Sequence, residues 1–118
     1  SRGLNHSLIT NQMDKKYIGE VSPEELDKLK VKYGKVKIVD VEDEDEVYRI
    51  YLKRPDFETL KAVTKIAKSD ELEGTKIFLR NCMVEGAKEV LEDGVLLVAA
   101  ASAASELLTS TKATLKNA

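Results

Sequence analysis

The stretch Tyr48-Arg49-Ile50-Tyr51-Leu52-Lys53-Arg54-Pro55-Asp56-Phe57 decides the fold of this chain. Its first half alternates. Tyr48, Ile50 and Leu52 point one way and Arg49, Tyr51 and Lys53 the other, the period of a strand with one buried face. Pro55 then opens a helix, because its fixed φ suits the first turn and it has no N–H to lend to a ladder. Asp56 and Glu58 follow where carboxylates favour the helix dipole. A β segment hands over here to a helical remainder, so the expected fold class is α+β, mainly helical.

Upstream, Lys35 to Val41 reads as a second strand. Val36 and Ile38 face one way and Val39 and Val41 the other, which implies burial on both faces or a bulge near Asp40. Between the strands lies Glu42-Asp43-Glu44-Asp45-Glu46, and a hairpin with a charged tip is the simplest connection. Two strands alone are marginal in water, so the hairpin needs helices or a third strand. Tyr17–Ile18 is one candidate mate and a neighbouring subunit is another. An N-terminal helix over 23–33 precedes the hairpin. Ser22 caps it, Pro23 takes the first position and Glu25 completes a capping box. Leu26, Leu29 and Tyr33 share a face, and Gly34 supplies the stop.

Downstream the pattern predicts three helices. The first has Phe57, Leu60, Val63 (or Thr64) and Ala67 on its inner face, and Ser69-Asp70 breaks it. The second runs from about Leu72 or Thr75 to Met83, with Phe78, Leu79, Cys82 and Met83 as core candidates. Gly86 ends it, and Ala87–Leu91 adds a short turn. Asp93 caps the last helix, long and alanine-rich, which starts near Gly94 and extends towards Lys116.

Composition bounds the function. The 118 residues suit one domain with a modest core, built on Leu, Val, Ile and Ala because only six residues are aromatic and none is Trp. Net charge is −2, so the whole chain carries no basic excess for nucleic acid. Ser1 to Gln12 lacks periodicity, and Met13-Asp14-Lys15-Lys16 reads as a natural start. Residues 1–12 are therefore expected to be an appended remnant or unstructured leader, with 13–118 as the globular domain. His6, the only histidine, lies in that leader, and setting it aside removes the commonest general base and metal ligand. No catalytic set, cofactor site or metal site is expected. Val95 to Ala104 is too short an apolar run to span a bilayer, which points to the cytoplasm and away from membranes.

Four features bear on a role. The acids Asp40 and Glu42–Glu46 point in alternating directions and lack the glycine and closing glutamate of a calcium loop. They read as a solvated tip, or as a docking point for a basic partner through Glu42, Asp43, Glu44 and Asp45. Lys28, Lys30, Lys32, Lys35 and Lys37 form a basic stretch that balances this tip. The small residues Ala99–Ser105 let another helix approach closely, within the core or between subunits. Cys82, among apolar neighbours, reads as a buried small hydrophobe.

The chain resembles the small tail assembly chaperones of long-tailed bacteriophages and prophages over about residues 35–116. The resemblance lies in a strand, Tyr48–Leu52, followed by the helix start Lys53-Arg54-Pro55-Asp56-Phe57-Glu58-Thr59. A helix ending Leu79-Arg80-Asn81-Cys82, then Gly86 and an acid-capped final helix, continue the pattern. The resemblance implies a non-enzymatic protein of the bacterial host cytoplasm that binds tape measure and other tail proteins, with a homo-oligomer as a further candidate assembly. Its expected contact residues are exposed apolar positions of the last helix, Leu96, Val98, Leu107 and Leu108. Two rivals stay open: a virion component at the head–tail joint or tube, and an inhibitor or adaptor using the acidic hairpin.

Overall fold

The computed structural model describes residues 15–118. The leader assigned to residues 1–12 and the start at Met13 lie outside the described residues. The fold is α+β around a four-stranded sheet. In chain order the elements are β1 (Lys16–Ile18), α1 (Pro23–Tyr33), β2 (Val36–Asp43), β3 (Glu46–Lys53), α2 (Phe57–Ala67), α3 (Glu71–Cys82), β4 (Met83–Gly86), α4 (Glu89–Glu92), α5 (Gly94–Ala104) and α6 (Glu106–Thr109).

β3 is the spine of the sheet. Along one side it pairs antiparallel with β2 without a break, from Val36 opposite Lys53 to Asp43 opposite Glu46. No bulge sits at Asp40; the two apolar faces of β2 instead meet different layers. Val39 and Val41 face the main core, whereas Val36 and Ile38 share the other face, on which Tyr51 is also buried. Tyr51 was expected on the polar side of its strand. Its burial follows from the second layer, where its hydroxyl accepts a 3.1 Å hydrogen bond from the Val21 N–H just before α1.

The other side of β3 is shared. β1 runs parallel to its first half, with Tyr17 opposite Val47, and β4 runs antiparallel to its second half, with Ile50 opposite Gly86. The two short strands meet end to end beside Arg49, whose carbonyl accepts a 2.9 Å bond from the Ala87 N–H. Both strands leave the sheet there through glycines at positive φ, Gly19 at 92° and Gly86 at 123°. β4 corrects the expectation of helix through Met83. α3 ends at Cys82 and the chain turns extended, which supplies β3 with a partner that three-residue β1 cannot reach.

The helices cover the core face. Ile50, Leu52, Phe78, Leu79, Cys82, Val90, Leu96, Leu97 and Ala100 form one continuous cluster. α2 contributes only partly buried residues such as Leu60 and Val63, and it packs on α3. Their crossing is close, since a Cβ on Gly74 would stand 3.0 Å from that of Ala67. Phe57, expected on the inner face, is 73% exposed, because the helix starts later than expected: Pro55 lies before it, Asp56 is the N-cap and Phe57 begins the first turn.

The last helix is shorter than expected. α5 stops at Ala104, α6 adds four residues, and 110–118 carry no regular structure. The Ser105 hydroxyl donates to the Ser102 carbonyl at 2.7 Å, and the Ser- and Thr-rich sequence beyond Leu108 has little intrinsic helix preference. The break lets Leu107 pack back onto the core. No helix among the described residues is long and apolar enough to cross a membrane.

Candidate docking surface

α5 begins where Asp93 accepts hydrogen bonds from the Val95 and Leu96 N–H groups, at 2.9 and 3.1 Å. From Gly94 to Ser105 it carries no charged residue. A helix apolar on every face belongs inside a protein, yet this one lies on the surface. Leu96, Leu97, Ala100 and Ala104 are buried against the sheet and α3, and the opposite face is bare. Val95 is 81% exposed and Val98 55%. Ala99, Ser102 and Ala103 are exposed beside them.

A groove between α3 and α5 continues that face. It is lined by Leu72, Thr75, Val98, Ala101 and Ser102, with Glu71 at its edge. Leu72 is 55% exposed. Large apolar side chains in this exposed setting, with small residues between them, suit the apolar side of another helix.

The contact residues expected from sequence divide. Val98 lies in this groove. Leu108 is exposed and Leu107 half-buried in a second groove, with Arg54, Pro55, Leu60 and Thr111. Leu96 is a correction: at 4% exposure it belongs to the core, because it falls on the α5 face that meets the sheet. Sequence reading missed Leu72 and Val95. Val95 stands in the first turn, two residues after the Asp93 cap, and a position one residue from Leu96 lies on a different helical face.

The acids of the hairpin line neither groove. Asp40 is held by Arg49, whose Nε and Nη2 donate to its two carboxylate oxygens at 2.8 and 2.9 Å. The Arg49 Nη1 donates to Glu20 at 2.8 Å, and its guanidinium lies 5.1 Å from the centre of the Tyr17 ring. The hydrogen bonds to Asp40 are the main cause that raises the Arg49 pKa further. Glu42 takes a 2.7 Å ion pair from Lys15. Asp43, Glu44 and Asp45 project from the turn, with Glu44 at φ 57°. The Tyr48 hydroxyl donates to Glu46 at 3.0 Å, and this bond raises the phenol's pKa.

Cys82 is fully buried, and desolvation pushes its thiol up to about 11. That places it with the packing residues rather than with reactive thiols. Among the described residues, no three His, Cys, Asp or Glu side chains converge as metal ligands would.

The fold is similar to that of a solved but uncharacterised protein from Bacillus stearothermophilus. The TM-score is 0.57 at 24% identity, over 78% of this chain and 99% of that one. At this identity the likeness is one of fold. No protein-family model and no curated protein matches the chain.

Proposed function

We propose that this chain is a non-enzymatic tail assembly chaperone of a long-tailed bacteriophage or prophage, acting in the host cytoplasm by binding tape measure and other tail proteins. The observation that supports it best is the uncharged α5, which leaves Val95 and Val98 in water beside Leu72. Such a face has no packing role on its open side, and it suits a transient apolar client such as a helical tape measure segment. The order of strand, Arg-Pro helix start and acid-capped last helix gives the reading its phage character.

Co-expression with a tape measure protein of a long-tailed phage tests the proposal. The wild-type chain should co-purify with that protein, whereas Leu72→Glu/Val98→Glu should not. The double variant should fold normally, because exposed substitutions usually move stability by about 0.5 kcal/mol or less. A fully retained complex overturns the assignment of this surface. Recovery of the protein in purified particles would favour the virion-component reading, since an assembly chaperone leaves before completion.

A further inference from the structure

β2 is the outer strand of the sheet, paired with β3 through all eight of its residues. Among the described residues no strand pairs with its other side, so alternate N–H and C=O groups of β2 face outwards. Proteins commonly protect such an edge with charges. Here the charges are sorted by sign. Lys35 and Lys37 stand at the start, and Asp43, Glu44 and Asp45 at the end, all exposed. The two acids between them, Asp40 and Glu42, are engaged by Arg49 and Lys15.

We infer that the chain forms a homodimer by antiparallel pairing of the β2 edges of two copies. An antiparallel mate sets the basic end of each strand against the acidic end of the other. A parallel mate would oppose lysine with lysine. A two-fold axis through Asp40, perpendicular to the sheet, places Lys37 opposite Asp43 and Val39 opposite Val41, each twice. Residues of equal parity then face each other, so both cores lie on one side of a continuous sheet. Asp40 meets its own copy at the axis, with each carboxylate already neutralised by its Arg49. Beside the edge, Lys37, Ile38, Val39, Ala103, Ala104 and Leu107 line a groove that receives side chains of the incoming strand. This surface is separate from the α3–α5 groove and does not depend on the function proposed above.

Charge swapping tests it. Light scattering over micromolar to millimolar concentrations should show a monomer–dimer equilibrium for the full chain. Lys37→Glu and Asp43→Lys should each weaken the dimer by about tenfold or more, since two cross-strand attractions become repulsions. An equimolar mixture of the two variants should restore it, because each mixed pair again opposes unlike charges. A two-residue slip in register still leaves 37 and 43 diagonal neighbours on one face, so the expectation survives it. A wild-type chain that stays monomeric throughout overturns the inference. So do a dimer indifferent to both reversals and a mixture of folded variants that remains monomeric.

Discussion

Gly86→Ala should be a severely damaging methyl addition to this sheet. A Cβ there would stand 2.5 Å from the Arg49 carbonyl oxygen and 2.6 Å from the Ile50 Cα, and both neighbours are backbone of the central strand. Neither can rotate away, so β4 must withdraw from β3. Crowding of this kind costs about 1–3 kcal/mol. Holding alanine at φ 123° adds about 1–3 kcal/mol. Loss of the Ala87 N–H bond to Arg49 adds about 1 kcal/mol. The sum is about 3–7 kcal/mol, a large share of the roughly 5–15 kcal/mol that holds a small domain together. Gly34→Ala is the control. Its φ is 80°, but nothing lies within 4 Å of the added carbon, so only the conformational cost applies. Urea unfolding followed by circular dichroism compares them. The Gly86 variant should lose about 1–2 M more of its midpoint than the Gly34 variant. Equal losses would refute the steric argument and the end-to-end meeting of β1 and β4.

Two further expectations follow from single side chains. Cys82 keeps its proton more tightly in the fold, at about 11 against an ordinary 9.0, so its contribution is complete below about 9 and is lost as pH rises towards 11. Urea midpoints at neutral and alkaline pH should show that extra fall in the wild type and not in Cys82→Ala; parallel curves would refute it. Arg49→Met removes the two bonds to Asp40 and the one to Glu20, and should cost about 1–2 kcal/mol, less in high salt. Unchanged thermal stability at low salt would show the network to be idle.

What the sequence disclosed was local. The Ser22–Glu25 box is closed by the Glu25 N–H donating to Ser22 Oγ at 3.2 Å, and such a signal sits within four residues. Asp93 likewise marks a helix start by its own chemistry. The α+β class follows from the change of period at Pro55. Contacts between distant segments left no such trace. Nothing in Met83-Val84-Glu85 distinguishes the end of a helix from a strand until the free half of β3 is known. Tyr51 shares its strand face with Arg49 and Lys53, and only the layer carrying α1 explains its burial. On α5 the uncharged run was visible, but not which side meets the sheet. That is why Leu96 was placed outside, and Val95 and Leu72 were not recognised.

Hydrogen exchange on the chain with and without a tape measure protein, the client proposed above, tests the central claim most directly. The account predicts new protection in α5, residues 94–104, and in the first turns of α3 around Leu72, with the hairpin acids 43–45 unchanged. Protection confined to the hairpin tip, or none in α5, would contradict it.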